Sequence, residues 1–301
     1  MKKIVIGSLI FLSYLFFIGF FFSNKMMYIK KKSDQELMDR DTDLGLFQKS
    51  NYDKLEKKEF TIPSRFGYDI KGLLVAPHQT NRYIIICHGV TVNKLNSVKY
   101  MNLFLEKGFN VVIYDHRRHG DSGGKTTSYG HYEKYDLQSV VHWVKKQVGE
   151  SLSLGIHGES MGAVTTLLYA GMVEDAADFY IADCPFTDLE AQLAYRLKVE
   201  FKLPSYFVLP IAKPFIKLRD HYSLHEVSPF KAVQTIRKPV LFIHSKEDDY
   251  IPFDMTSMLY EKKKGPKKLF LAEKGAHAMS YAKNREEYSK AIDEFLAEFT
   301  L

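Results

Sequence analysis

Residues 152–168 read Leu-Ser-Leu-Gly-Ile-His-Gly-Glu-Ser-Met-Gly-Ala-Val-Thr-Thr-Leu-Leu, so an apolar strand-like run enters a Gly-x-Ser-x-Gly motif and leaves it as a helix-forming run. In that context the serine of the motif, Ser160, lies on a sharp strand-to-helix turn. Gly158 and Gly162 leave room for the crossing backbone, and the start of the helix adds a partial positive potential. The pattern predicts that Ser160 is a nucleophile.

A second match to the same motif, residues 120–124, contains Ser122. Ser122 follows the polar run 115–119 and therefore lies well past the end of its strand. It is followed by Gly-Gly-Lys-Thr-Thr, which does not form a helix. We therefore interpret residues 120–124 as a glycine-rich surface loop and retain Ser160 as the functional serine.

Strand-like and helix-like segments alternate through most of the chain. Predicted strands are Tyr83–Cys87, Asn110–Tyr114, Leu152–His157, Asp178–Asp183, Pro239–His244 and Lys268–Ala272. Predicted helices lie near Leu95–Lys107, Tyr132–Gln147, Met161–Val173, Asp254–Lys262 and Asn284–Phe299. Apolar strands that alternate with helices predict an α/β fold with a mostly parallel, doubly wound sheet. An antiparallel hairpin, Phe60–Pro63 with Tyr68–Pro77, precedes it.

The first residues are predicted to be a membrane anchor. Residues 4–22 are almost wholly apolar, and at about 1.5 Å per residue they nearly cross a ~30 Å hydrocarbon core. A cleaved signal peptide is the alternative, but its apolar region is usually shorter and ends in small residues. Here the run ends Phe-Phe-Phe-Ser-Asn-Lys, a poor cleavage site. We therefore expect one uncleaved transmembrane helix within residues 1–24.

The charge distribution supports this interpretation. Residues 1–32 carry six lysines and no acidic residue, and the rest of the chain has 36 basic and 36 acidic residues. A neutral domain lacks the basic footprint of nucleic-acid binding. Lysines flank both ends of the apolar run, so the positive-inside rule is nearly balanced. We favour a catalytic domain outside the cytoplasm, because a short basic tail before an apolar run also resembles an export signal.

Three further segments follow the anchor. Residues 25–57 are charged and are expected to form a tether that includes a short helix. Residues 58–301 are expected to form the α/β domain. Residues 188–225 interrupt its alternation with large apolar side chains that Pro204, Pro210 and Pro214 cut into short pieces. We predict that this interval is a helical lid over an apolar pocket.

A serine hydroxyl needs a base to become a nucleophile. In this kind of fold the acid and the histidine follow the serine along the chain. His221, His225 and His244 are alternatives, but His277 lies just past the last strand, where such sheets collect their active residues. The acid should follow the preceding strand, which leaves Glu247, Asp248 and Asp249 open, with Asp183 as an outsider.

The two cysteines, Cys87 and Cys184, end strand-like runs and are expected to be small buried residues. The sequence has no cysteine–histidine cluster with metal-ligand spacing, and the predicted chemistry requires no cofactor.

Five motifs in order give the chain a resemblance to the α/β-hydrolases. They are His88-Gly89 after a strand, the loop 115–124 that is similar to Asp-x-Arg-Gly-x-Gly-x-Ser, the turn 158–162, the run 244–252 that is similar to His-Gly-x-x-Asp-x-x-Val-Pro, and Gly275-Ala276-His277. Arg118 replaces a usual glycine, Ser245 a glycine and Ile251 a valine. The resemblance covers residues 59–301 and is nearest to single-domain bacterial serine hydrolases with prolyl-oligopeptidase-like or Bem46-like catalytic domains.

The resemblance implies a site and a reaction. Ser160 would be the nucleophile, His277 the general base and Asp248 the acid that orients it. The backbone N–H groups of Val90 and Met161 would hold the oxyanion. We expect hydrolysis of esters or thioesters of a small-molecule or lipid-like acyl substrate. The alternatives are a serine peptidase, an acyltransferase and, least favoured, a non-catalytic binding protein.

Overall fold

The computed structural model describes residues 2–149 and 151–301. The strands are β1 (Lys58–Pro63), β2 (Asp69–Val75), β3 (Arg82–Cys87), β4 (Asn110–Tyr114), β5 (Ser153–Glu159), β6 (Phe179–Asp183), β7 (Val240–Ser245) and β8 (Lys267–Ala272). The helices are α1 (Lys2–Met27), α2 (Asp34–Asp43), α3 (Lys49–Lys54), α4 (Val98–Glu106), α5 (Glu133–Val148), α6 (Met161–Met172), α7 (Leu189–Phe201), α8 (Ser205–Asp220), α9 (Pro229–Ala232), α10 (Phe253–Lys262), α11 (Ser280–Lys283) and α12 (Arg285–Glu298).

The eight strands form one sheet in the order β1-β2-β4-β3-β5-β6-β7-β8. β1 pairs antiparallel with β2, and β2 pairs antiparallel with β4. All other neighbours are parallel. The order reverses at β3, which lies between β4 and β5, and ligands of such sheets bind beyond the carboxyl ends of the strands near this point. The predicted fold class, a mostly parallel doubly wound sheet with an antiparallel leading hairpin, is confirmed.

Apolar side chains cover both faces of the sheet. On one face α5, α6 and α10 pack through residues such as Val140, Leu167 and Leu259. On the other face α4 and α12 pack through residues such as Phe104 and Phe295. Because successive strand residues point to opposite faces, β3, β4, β6 and β7 each contribute to both clusters. This two-sided burial is the physical reason that the parallel strands read as continuous apolar runs.

The segment predicted as a charged tether, residues 25–57, contains α2 and α3 and is ordered against the domain. A capping box starts α2, in which Ser33 and Glu36 each bond the other's backbone N–H. Leu37 and Phe47 are buried, and Arg40 donates to the Asn96 side chain at 2.6 Å. α1 has the length and composition of a candidate membrane span, properties that it shares with signal sequences.

A buried polar network lies beneath the carboxyl edge of the sheet. Lys99 donates to Glu159 at 2.5 Å, and Tyr100 donates to Glu159 at 2.8 Å and lies 3.2 Å from Asp183. Burial alone would raise the pKa of Glu159, but the Lys99 ammonium and the hydrogen bonds of Tyr100 lower it to about 2. Burial and then the Glu159 charge raise the pKa of Asp183 to about 6. One buried cation therefore stabilises only one of two neighbouring carboxylates.

Asp183→Asn is expected to change how stability depends on pH. The folded state raises the pKa of Asp183 from 3.8 to about 6, so its contribution to stability is present below pH 4 and is lost as the pH rises through 6. The variant should therefore equal the wild type near pH 4 and exceed its free energy of unfolding by about 2–3 kcal/mol at pH 8. Urea unfolding of the full chain in detergent measures this difference. The exposed Asp249→Asn is the control, and a difference that does not vary with pH would contradict the account.

Candidate active site

Ser160 lies on a strained turn between β5 and α6. Its φ of 57° and ψ of −118° belong to a region that non-glycine residues rarely adopt. A Cβ on Gly158 would lie 2.3 Å from the Gly162 carbonyl oxygen, and a Cβ on Gly162 would lie 2.0 Å from the Cys87 carbonyl oxygen. Only glycine fits at either position. The turn brings Ser160 to the carboxyl edge of the sheet, as the sequence predicted.

Ser160 is connected by hydrogen bonds to two side chains, His277 and Asp248, that lie after later strands. Ser160 Oγ lies 2.8 Å from His277 Nε2, and His277 Nδ1 lies 2.7 Å from Asp248 Oδ2. Because a carboxylate only accepts hydrogen bonds, Nδ1 carries the ring proton and Nε2 is free to accept the serine proton. The three side chains therefore form a directed hydrogen-bond chain from hydroxyl to imidazole to carboxylate.

The Asp248 carboxylate accepts four hydrogen bonds. Oδ1 accepts from the backbone N–H groups of Tyr250 and Ile251, each at 2.9 Å. Oδ2 accepts from His277 and from His244 Nε2, the latter at 3.0 Å. Burial alone would raise the pKa of Asp248, but the two histidines hold it well below its usual range. Asp248 is therefore a fixed carboxylate at neutral pH.

The other candidate acids and bases lie elsewhere. Glu247 accepts the Gly275 N–H at 2.7 Å, and Asp249 is exposed. Asp183 accepts hydrogen bonds from Ser280 and Tyr288, and the Tyr100 hydroxyl lies 3.2 Å from it. His244 stands on the far side of Asp248 from His277 and donates to it. His221 and His225 lie at the end of α8 and in the turn after it.

The loop after β3 runs beside the serine. A Cβ on Gly89 would lie 3.4 Å from Ser160 Cβ, so the backbone on either side of Gly89 borders the site. His88 accepts the His116 N–H at 3.0 Å and lies 2.7 Å from the Gly89 carbonyl. Burial lowers the pKa of His88 to about 4. His88 is thus neutral and joins the loop after β3 to the loop after β4. Val90 directly follows Gly89 in the first of these loops.

Ser122 has a different environment from Ser160. Its hydroxyl donates to the Asp115 carbonyl at 2.7 Å and accepts the Lys71 N–H at 2.9 Å. Asp115 itself accepts from Lys94 and from the Asp121 N–H. Ser122 therefore joins the loop 115–124 to β2 as a structural brace, and both of its hydrogen-bonding roles are taken.

Cys184 lies close to the histidine and the aspartate. Potential ligand atoms of Cys184, Asp248 and His277 come within 4.8 Å of one another. Burial raises the pKa of the Cys184 thiol well above its usual value, so this thiol is neutral and a poor metal ligand. Asp248 and His277 are already hydrogen-bonded to each other, which explains why their ligand atoms lie so close together. We find no support there for a metal site.

A largely apolar cavity of about 170 Å³, lined also by Lys25, Arg196 and Glu200, adjoins the site. Its apolar lining includes Met26, Leu193, Leu197, Val208, Leu209 and Ile216. Tyr250 also lines it, and the Tyr250 ring lies 4.8 Å from the His277 ring. The cavity therefore lies under α7 and α8, with Tyr250 between it and the histidine.

The sequence did not indicate two of these contributors. Met26 falls in the segment predicted to be a tether, although it follows Phe22 at helical spacing, a pattern that also fits the end of one apolar helix face. Tyr250 lies two residues after Asp248, and its neighbours gave no signal that its ring would face both the cavity and His277. Both residues reach the site through tertiary packing.

Comparisons with known proteins agree with this architecture. The sequence profile of the family described as serine aminopeptidase, S33, matches residues 78–220. The uncharacterized protein YqkD of Bacillus subtilis (strain 168) is 58% identical over 98% of this chain and 97% of its own. The lysophosphatidylserine lipase ABHD12 of Mus musculus is 29% identical, over 51% of this chain and only 37% of its own length.

Among solved structures, the esterase Pf2001 of Pyrococcus furiosus superposes with a TM-score of 0.67 at 25% identity, covering 86% of this chain and 95% of the esterase. The esterase of Exiguobacterium antarcticum superposes with a TM-score of 0.59 at 19% identity, covering 79% of this chain and 98% of its own, which shows the common fold. The sheet order, the family profile and these relatives agree with the resemblance seen in the sequence. The chain therefore belongs to the α/β-hydrolase superfamily of serine hydrolases.

Proposed function

We propose that Ser160, His277 and Asp248 are the catalytic triad of an acyl-ester hydrolase. The observation that carries the proposal is the continuous hydrogen-bond chain, 2.8 Å from Ser160 Oγ to His277 Nε2 and 2.7 Å from His277 Nδ1 to Asp248 Oδ2. Hydrogen-bonded nucleophile, base and orienting acid in this arrangement are the signature of serine acyl transfer.

Each residue has a defined part in the reaction. Ser160 Oγ forms a bond to the acyl carbonyl carbon as its proton passes to His277 Nε2. The carbonyl oxygen becomes an oxyanion, and the N–H groups of Val90 and Met161 donate to it, each worth about 3 kcal/mol. His277 then gives the proton to the departing alcohol or thiol. Water, deprotonated by His277, releases the acid and restores Ser160.

Asp248 supports this cycle by electrostatics. Its depressed pKa keeps the carboxylate ionised, so it stabilises the imidazolium that forms on His277 during attack. His244 and the two backbone N–H groups hold the carboxylate in place without competing for the proton of His277.

The cavity supports the proposed substrate class. Its lining is mostly apolar, and apolar walls favour the acyl chain of an ester or thioester over a charged amino terminus. Two relatives, an esterase and a lysophosphatidylserine lipase, carry names that fit this class. The family profile is described as an aminopeptidase family, so a peptidase is the second candidate, and acyl transfer to an alcohol is a third. Comparing turnover of matched ester and amide substrates, with and without an alcohol acceptor, separates the three.

We further propose that α1 remains as a single-pass anchor. We also propose that the α/β domain, residues 58–301, lies outside the cytoplasm. Residues 188–225 of this domain would form a lid over the cavity. The support is the apolar length of α1, which has the composition of a membrane span, together with Lys2 and Lys3 at its start.

Ser160→Ala is expected to lower kcat by about 10⁵-fold or more on a soluble short-chain ester, because removal of the nucleophile leaves only binding and oxyanion stabilisation. Its melting temperature should change little. Ser122→Ala is the matched control: it should keep most of the activity while it loses about 1 kcal/mol of stability with its two braces. Equal losses of activity in the two variants would contradict the assignment.

Asp248→Asn is expected to lower kcat by about 10³–10⁴-fold, because an amide favours the wrong tautomer of His277 and removes the negative charge. Asp249→Asn changes an exposed neighbour of the same chemistry and should leave kcat nearly unchanged. Steady-state kinetics of both variants on one ester tests the choice among the adjacent acids. A larger loss in Asp249→Asn would reassign the acid.

The side of the membrane is tested with an epitope tag after Leu301. Protease added to intact protoplasts should remove the tag if the domain lies outside the cytoplasm. A tag that is cleaved only after the membrane is permeabilised would place the domain inside. A cytoplasmic protein followed in the same samples reports whether the membrane stayed closed.

A further inference from the structure

One face of α1 packs against the domain. The residues on this face that are buried or half-buried recur at helical spacing: Leu15, Ile18, Gly19, Phe22, Ser23 and Met26. Their neighbour is α8. A Cβ on Gly19 would lie 2.3 Å from the Phe215 ring, and Phe215 also packs edge-on against Phe16 with ring centroids 5.3 Å apart. The N-terminal half of α1 is exposed all round.

This contact fixes the level of α8 relative to a membrane. The apolar run of α1 ends at Phe22, and at about 1.5 Å per residue Gly19 and Phe16 lie about 5 and 9 Å before that end. One leaflet contributes about half of the ~30 Å hydrocarbon core. Phe215 therefore lies at a depth that belongs to the hydrocarbon of one leaflet. Arg219, one turn later, donates to Ser23 at 2.7 Å, at the polar end of the span.

The outer face of α8 and of the turn before it is apolar. Tyr206 is 82% exposed, Leu218 76% and Phe207 47%. The prolines 210 and 214 on the same helix are exposed as well, and Lys202 and Lys217 stand at its two ends. A contiguous exposed apolar face of this kind marks an interaction surface. Lysines beside it suit the headgroup level, where their stems lie along apolar surface and their ammonium groups meet anionic lipid.

We infer that α8 lies in the same leaflet that the C-terminal half of α1 enters, so the cavity beneath α8 opens toward that leaflet and takes an acyl chain of a membrane lipid. The occupant of the exposed face is the lipid leaflet itself, because α1, the proposed anchor, would pass through that leaflet beside α8. The second part rests on the proposed hydrolase function.

The cavity lies between α1 and the histidine of the site. Phe22 and Met26 of α1 line it, and so does Tyr250, which packs on His277. Its volume of about 170 Å³ is close to that of a cavity that holds one benzene molecule, about 150 Å³. A cavity of this size holds only a few carbons of an acyl chain. The rest of a longer chain would continue past Phe22 along the apolar contact of α1 with α7 and α8.

Tryptophan fluorescence tests the position of α8 without reference to activity. The only tryptophan of the sequence is first removed by Trp143→Phe. Either Tyr206→Trp or Leu218→Trp is then introduced as the reporter. The full chain is reconstituted in phosphatidylglycerol–phosphatidylcholine vesicles with brominated acyl chains. We expect quenching as strong as that of Phe17→Trp in α1, and far stronger than that of Met172→Trp at the opposite edge of the domain. Quenching of both α8 variants no greater than that of Met172→Trp would overturn the inference.

A second experiment tests the route of the acyl chain. The double variant Tyr206→Asp with Phe207→Asp places charges on the outer face, away from the cavity lining. Hydrolysis of a soluble short-chain ester should stay unchanged, while hydrolysis of a long-chain ester embedded in vesicles should fall about tenfold, because the charged face no longer enters the leaflet. If the double variant retained the same fraction of wild-type activity on both esters, the proposed entry of the acyl chain from the leaflet would be overturned. Failure of wild type to hydrolyse either ester would refute the proposed function, and the quenching result would still decide the position of α8.

Discussion

The close crossing of backbones at Gly158 and Gly162 is the contact on which the site depends. A side-chain carbon at Gly158 would lie 2.3 Å from the Gly162 carbonyl oxygen, and one at Gly162 would lie 2.0 Å from the Cys87 carbonyl oxygen. The same packing forces Ser160 into its strained conformation and brings the loop after β3 alongside it. Nucleophile and proposed oxyanion donors are therefore oriented by one rigid cluster, which lowers the reorganisation needed during attack.

The buried carboxylates around this cluster differ in what stabilises their charge. Glu159, directly before the serine, is neutralised by Lys99, whereas Asp183 has no cation of its own and its pKa is raised. Asp248, by contrast, is ionised and points at His277. A carboxylate that was ionised at Asp183 would add a second negative charge near the site. Because the pKa of Asp183 is about 6, this group is protonated only below that pH, where the field at His277 is left to Asp248.

Much of the fold could be predicted because parallel strands buried on both faces have an unmistakable apolar pattern. β4 begins and ends at the predicted residues, and α6 ends one residue earlier than predicted. Ser160 and His277 could be selected by their places after strands. Asp248 could not be separated from Glu247 and Asp249 by residue pattern, since adjacent acids differ only in the direction of their side chains, and the choice came from the family resemblance.

What the sequence could not predict depends on long-range packing. Tyr250 and Met26 line the same cavity although 224 positions separate them in the chain. The residues expected to be a tether pack on the domain because Leu37 and Phe47 find buried places there. The prolines of residues 188–225 predicted short pieces, yet Pro210 and Pro214 lie inside α8. The apolar outer face of α8 can be interpreted as a lipid contact only once the structure shows that α8 packs against α1.

The central claim is that Ser160 is an activated nucleophile. Its most direct test is reaction of the folded full chain with a fluorophosphonate, followed by digestion and mass spectrometry of the labelled peptide. The account predicts one adduct, on Ser160, that is lost when the protein is unfolded before labelling. Absence of an adduct from the folded protein, or an adduct on Ser122, would contradict it.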